Sequence, residues 1–150
     1  MFEKNKALLQ VAAIPFKYEN DCLKILLLTT RKKRKWIVPK GWPVDGLSFN
    51  ESAKKEAMEE AGVSGSISKA PIGDFIHNKT ISRGQKTPCK VITYSLLVTD
   101  QLLDWDERKE RSRRWCSISE AAERVSNQGL SKMLRIISDD PSILSRLTEK

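Results

Sequence analysis

The sequence predicts an α+β unit, with strands wrapped by a few helices, and three observations carry that expectation. Apolar or β-branched runs of strand length recur at Val11–Phe16, Leu23–Thr30 and Lys90–Thr99. A helical stretch with start and stop signals lies between them at Ser48–Gly62, and amphipathic stretches follow toward the end. The 150 residues, 39% hydrophobic and 31% charged, suffice for one core, so 1–150 reads as a single domain needing no disulfide or structural metal.

Taken in order, Val11–Phe16 and Leu23–Thr30 are strands. Between them Lys17-Tyr18-Glu19-Asn20-Asp21 is polar and ends in turn-forming Asn and Asp. A basic run, Arg31–Lys35, follows on an exposed connection, and Trp36-Ile37-Val38-Pro39 is a short strand that proline ends. Lys40–Leu47, with Gly41, Pro43, Asp45 and Gly46, has loop composition. Ser48 stands three residues before Glu51 in a capping-box arrangement, so a helix begins there. Ala53, Ala57, Met58 and Ala61 form its apolar face, and Gly62 offers the left-handed stop. Ser66–His77 and Lys90–Thr99 read as a long hairpin joined across Ser82–Lys86. Arg113–Cys116 is one more strand before Ser117, where Ser119 and Glu120 open an amphipathic stretch containing Ala121, Ala122 and Val125. Leu130, Met133, Leu134 and Ile137 mark the last helix at their 3–4 spacing.

The balance of 27 Lys plus Arg against 19 Asp plus Glu, a formal charge of +8, favours a polyanionic ligand. Nucleic acid, phospholipid surface and small polyphosphate all fit the charge alone. Cys22, Cys89 and Cys116 are far apart, odd in number and without a CxxC pair, so they form neither a zinc site nor a disulfide framework. A reducing compartment, the cytoplasm, is the expectation. Glu3, Lys4, Asn5 and Lys6 precede only a brief apolar stretch, and no apolar run approaches membrane-spanning length, so neither export nor a membrane is expected.

Glu56, Glu59 and Glu60 stand at i, i+3 and i+4 and share one side of a helix. Like charges at that spacing cost a helix a few tenths of a kcal/mol, roughly, and a divalent cation converts the repulsion into coordination. The alternative is a solvated acidic face on a lysine-rich helix.

The flanking residues separate the two. Gly41, then Lys55-Glu56-Ala57-Met58-Glu59-Glu60-Ala61-Gly62-Val63, falls on the spacing of the Nudix box, G-x(5)-E-x(7)-R-E-U-x-E-E-x-G-U, where U is aliphatic. The chain therefore resembles the Nudix hydrolase family over Gly41–Val63, and the lead-in Trp36-Ile37-Val38-Pro39-Lys40-Gly41 is similar to the diphosphoinositol and diadenosine polyphosphate hydrolase branch. The resemblance implies a Nudix-type α/β/α sandwich with a mixed β-sheet and a catalytic loop-helix-loop. It also implies metal-assisted attack of water on a phosphoanhydride, with Mg2+, or Mn2+ in its place, held by Gly41, Glu56, Glu59 and Glu60. Catalytic roles fall on Glu56, Glu59, Glu60 and Lys55, and the base is a box glutamate or a later one, Glu107 or Glu110. Two positions depart from the pattern. Leu47 replaces the first glutamate, and Lys55 replaces the arginine that orients the glutamates in the family, keeping its charge but not its bidentate geometry.

For the substrate, Arg31, Arg34, Lys40 and Trp42 are the candidate contacts, with Arg83, Lys86 and Lys90 as further basic residues. Trp42 lies in the loop, where it can stack on a base, whereas Trp36 and Trp115 read as packing. His77 is a lone histidine with no second one at ligand spacing and receives no role. The expected partner is a small-molecule polyphosphate bound by a monomer or homodimer. A binding or sensor domain with a weakened site is the alternative. A nucleic-acid-binding domain is disfavoured because the chain lacks an aromatic-basic recognition motif.

Overall fold

Val11 to Phe16 are all buried although successive side chains of a strand point to opposite faces. This strand must therefore lie in the middle of a sheet covered on both sides, and the rest of the architecture is arranged around it. The computed structural model describes residues 8–82 and 84–146, so Glu3, Lys4, Asn5, Lys6 and Arg83, named above, lie outside the described residues.

In chain order the elements are β1 (Leu8–Glu19), β2 (Cys22–Thr29), β3 (Trp36–Ile37), β4 (Lys40–Gly41), α1 (Phe49–Ala61), β5 (Val63–Ile67), β6 (Gly73–Ser82), β7 (Gln85–Gln101), β8 (Arg113–Ser117), α2 (Ile118–Arg124), α3 (Gln128–Asp139) and α4 (Ser142–Arg146). Among the described residues the eight strands join one mixed sheet with the path β3-β2-β1-β7-β5, while β4 pairs with β1, β6 with β7 and β8 with β2. The β1–β7 pair is parallel, from Leu8 beside Cys89 to Phe16 beside Leu97. The other strand pairs among the described residues are antiparallel, and an isolated parallel bridge joins Trp36 to Val125. Helix α1 packs on β1, β4 and β5, α2 on β2 and β8, α3 on β6, and α4 on β7, where Ser95 Oγ donates to the Leu144 carbonyl at 2.9 Å. This is the expected α+β sandwich.

Local rules account for most boundaries. The β1–β2 turn is only Asn20-Asp21, both left-handed with φ of 54° and 64°, so the strands reach further than the polar segment suggested. These are the residues that a two-residue hairpin turn of this hand accepts most readily. Ser48 caps α1 by accepting from the Glu51 N–H at 3.4 Å, and Gly62 ends it at φ 68° with its N–H directed at the Ala57 and Met58 carbonyls. Ala53, Ala57 and Ala61 are buried as expected, but Met58 is only half-buried; Ser52 and Glu60 fill the remainder of the inner face. Leu130, Met133, Leu134 and Ile137 are all buried on α3, each removal from water stabilising by about 1.5–3 kcal/mol.

Three expectations are corrected. Ser66–His77 is not one strand but parts of β5 and β6, which pair with successive stretches of the same long β7: Ile67 lies beside Leu96 and Gly73 beside Thr93. The break holds Ala70-Pro71, and the β5 stretch carries a bulge at Ser64/Gly65. Lys40–Leu47 is not all loop, since Lys40 and Gly41 pair with Ala12 and Val11 as β4, and the strand at Trp36 ends at Ile37. The terminal helix α4 has no counterpart in the sequence reading; its Leu144 is fully buried.

Candidate active site

Helix α1 approaches the sheet closely because its inner stripe is alanine, and this brings the neighbouring Glu60 under the rim of the sheet beside β4. Its Oε1 accepts the Lys40 N–H at 3.2 Å, and its Oε2 lies 3.6 Å from Arg111 Nη2. Burial pushes its carboxyl up to about 8, against the pull of the Arg111 guanidinium. Glu56, one turn earlier, is hydrogen-bonded to Glu60 and is also raised, again mainly by burial. A buried and a half-buried carboxyl thus adjoin one another, a costly arrangement that a cation would relieve. Gly41 leaves room for the Glu56 carboxyl, which lies directly against its backbone where a side chain would otherwise stand.

The end of α1 is clamped. Trp105 Nε1 donates to the Glu60 carbonyl at 2.9 Å and its ring lies against Gly62, where a side chain would collide at 2.9 Å. Arg113 stacks on that ring at 3.8 Å and donates to the Ala61 carbonyl at 2.7 Å. The loop after β7 closes over the same end, with the Glu107 N–H on the Glu59 carbonyl at 3.3 Å.

Not all three glutamates converge. Glu59 is ion-paired with Lys55 on the more exposed flank, and among the described residues no three His, Cys, Asp or Glu side chains gather closely enough to hold a metal ion. The residues that could hold a cation here are Glu56 and Glu60 together with the Gly41 backbone. Such a set suits magnesium, which keeps several waters and is commonly held by one or two carboxylates plus substrate phosphates.

A cleft of about 220 Å³ opens beside Glu60 and is lined also by Lys40, His77, Lys79 and Arg111. An adjoining cleft of about 400 Å³ shares Thr30, Ile37 and His77 with it and adds Lys32, Lys33, Lys35 and Lys86. Lys40 Nζ donates to Gln10 at 3.3 Å, and burial with the nearby Lys79 lowers it to about 8. His77 is held down at about 4 by burial and the same lysines, so it is neutral at pH 7. A larger hollow of about 530 Å³, lined by Glu59, Asp104, Trp105 and Asp106, carries the wrong charge for a polyphosphate.

The other named residues fall as follows. Arg31 borders the smaller cleft but pairs with Glu110 at 3.2 Å. Arg34, itself left-handed at φ 55°, donates to the Glu110 carbonyl at 2.8 Å and to Ser112 Oγ at 2.9 Å, bracing the basic loop against the loop after β7. Trp42 is exposed, with Lys79 Nζ 5.9 Å above its ring. Lys90 is exposed on β7, and Leu47 is exposed ahead of α1. Trp36 and Trp115 pack against the core. Sequence reasoning missed Gln10, Lys79 and Arg111, and dismissed His77. Only tertiary pairing brings these residues to Glu60 or Lys40, and no spacing within the chain announces it.

A NUDIX domain model matches residues 8–135, and this chain belongs to that family. It is 33% identical over 125 residues to Nudix hydrolase 12, mitochondrial, of Arabidopsis thaliana, covering 79% of this chain and 62% of that protein. It is 29% identical over 114 residues to diphosphoinositol polyphosphate phosphohydrolase 3-beta of Bos taurus, covering 75% of this chain and 65% of the relative. The chain thus spans about two thirds of the length of these relatives. Among solved structures, the Ap4A hydrolase of C. elegans has the same fold, with a TM-score of 0.63 at 17% identity over 89% of this chain and 97% of the other.

Proposed function

We propose that this chain is a magnesium-dependent pyrophosphohydrolase that cleaves a phosphoanhydride bond in a polyphosphorylated small molecule. The observation that carries the reading is the buried Glu60, with half-buried Glu56 one turn behind it, opening onto a cleft edged by Lys40, Lys79 and Arg111. One side of the site would hold a cation and the other an anion. The basic lining of the adjoining cleft favours a substrate with several phosphates, and the diphosphoinositol relative gives this the same direction.

Glu56, Glu60 and the Gly41 backbone would hold Mg2+, or Mn2+ in its place. A bound ion of this kind neutralises phosphate charge and makes a coordinated water more acidic. Lys40 and Lys79 orient the phosphates, while Arg31 and Trp42 border the entrance. In the reaction the water oxygen bonds to phosphorus, the bridging oxygen departs with the leaving phosphate, and the water's proton passes to a carboxylate. Two carboxylates are candidates for that proton, Glu59 held by Lys55 and Glu107 held by Arg111 at 2.6 Å. Glu110 is exposed and taken up by Arg31, so it is the weaker candidate.

Diadenosine polyphosphates and diphosphoinositol polyphosphates are the substrates to test, with Mg2+ or Mn2+, reading the products by mass spectrometry. Metal-dependent cleavage that is lost in Glu60→Gln supports the reading. Equal turnover by the variant removes it. A second reading, a ligand-binding domain with a weakened site, draws on Leu47 being exposed and Lys55 being spent on Glu59. Tight binding without turnover across the panel would favour it.

The three cysteines are free, which agrees with a cytoplasmic location for a chain acting as one domain. Among the described residues no helix is long and apolar enough to cross a membrane. Cell fractionation tests the cytoplasm against the organelles that the plant relatives' names specify.

A further inference from the structure

The Arg111 side chain, only 10% exposed beside the carboxyl pair, has its guanidinium held from three directions. Nε donates to Glu107 Oε1 at 2.6 Å, Nη1 donates to the Thr29 carbonyl at 3.1 Å, and Nη2 faces Glu60 Oε2 at 3.6 Å. The anchors on the first two arms are themselves fixed. Thr29 Oγ1 accepts the Ser112 N–H at 2.9 Å, the Thr29 N–H reaches the Ser112 carbonyl at 3.0 Å, and the Glu107 N–H is bonded to α1. The side chain is therefore a rigid fork whose free arm points at one carboxylate, which is the geometry in which arginine exceeds lysine.

Lys55 does something different. It occupies the box position from which an orienting cation is expected, yet it is exposed and its ion pair is with Glu59. No ion pair or hydrogen bond links it to Glu60. Resting on the metal-site reading above, we infer that Arg111 is the positioning residue for Glu60: a guanidinium delivered by the loop after β7 sets the Glu60 carboxylate for the cation and couples it to Glu107. The helix supplies the ligand and a distant loop supplies its orientation. Glu107 and Arg111 stand one turn apart, and the Glu110 and Arg111 N–H groups both return to the Glu107 carbonyl, so the loop presents the pair as a preformed unit. Partners that orient metal ligands typically contribute about 10–100-fold in metal affinity or activity.

The test compares Arg111→Ala, Arg111→Lys and Lys55→Ala with the wild type in the full chain. The readouts are Mn2+ affinity by electron paramagnetic resonance, turnover of a diphosphoinositol polyphosphate and of a diadenosine polyphosphate, and a thermal melt. Arg111→Ala should weaken Mn2+ binding and turnover by about 10–100-fold. Added ethylguanidinium should recover part of both, which a purely structural loss would not allow. Arg111→Lys retains the charge and guards against a folding failure of the alanine variant; it should keep a cooperative melt but remain clearly weaker in Mn2+ binding than wild type. Lys55→Ala should lose less affinity than either. Mn2+ binding equal to wild type in Arg111→Lys, or a larger loss in Lys55→Ala, overturns the inference. Wild-type protein that takes up no Mn2+ even with substrate present instead overturns the metal-site reading on which it rests.

Discussion

A methyl group built on Gly41 would stand 2.4 Å from Cδ of Glu56, so backbone and carboxyl occupy adjoining space with nothing between them. The obstruction is the far end of a flexible side chain, and the backbone at Gly41 is not left-handed. Gly41→Ala should therefore fold, with a melting temperature lowered by less than about 4 °C, the response to roughly 1 kcal/mol in a domain of this size. Displacing Glu56 by an ångström should nevertheless cost on the order of 100-fold in kcat. A melt and a kinetic assay on the same sample check both halves.

Glu60 makes metal-free stability depend on pH in an unusual direction. Its folded carboxyl titrates at about 8, above its ordinary 4.5, so the unfolded chain releases that proton first. The contribution is fully present below pH 4.5 and is lost as pH rises toward 8. Glu60→Gln lacks this loss, and without metal at pH 8 it should melt above wild type by at least about 2–4 °C. Turnover should fall by more than about 100-fold in the same variant. Adding Mn2+ should raise the wild-type melt and leave the variant's almost unmoved, as expected for binding to the folded state alone. Calorimetry across pH 4 to 9 reads the sign directly.

Lys40 gives the alkaline side of the activity profile. Burial and Lys79 lower it to about 8, so above that pH the free enzyme loses a positive charge from the cleft. The profile of kcat/KM, which reports groups of the free enzyme, should decline on that limb. Lys40→Arg keeps its charge throughout and should shift the limb to higher pH. A limb unmoved in the variant would assign it to another group.

Gly65 tests the frame rather than the site. A Cβ there would lie 1.8 Å from the Leu97 carbonyl oxygen, at the bulge where β5 meets β7. The obstacle is backbone and cannot swing away. Gly65→Ala should cost about 3 kcal/mol, near the upper end for overpacking, and lower the melt by roughly 6–12 °C.

The parts of this molecule legible in the sequence are those encoded by near neighbours. Ser48, Glu51 and Gly62 mark both ends of α1, and the carboxylates at 56 and 60 share a face because a helix repeats every 3.6 residues. The unbroken apolar run at Val11–Phe16 was a sign of a strand buried on both faces. Arg111, Lys79 and Gln10 carried no such sign. They reach Glu60 or Lys40 through sheet pairings and a loop closure across many residues, and their charge or polarity alone resembled the rest of a basic surface. Glu59 shows the reverse limit: helical spacing put it beside the pair, but its ion pair is with Lys55. The Ser66–His77 strand failed because it ran through Pro71 and Gly73, break signals that stand where the chain leaves one stretch of β7 to join the next.

The parallel pairing of β1 with β7 joins residues 81 positions apart in every rung, from Leu8 with Cys89 to Phe16 with Leu97. During translation β1 emerges before β7 and must wait for it before that edge is satisfied. Contacts so remote in sequence make for slow closure, and an unpaired apolar strand is an invitation to aggregate. A nascent chain halted before Cys89 would hold the whole carboxylate helix yet have no centre on which to build, so its yield in the cell should depend on chaperone supply more than that of the finished protein.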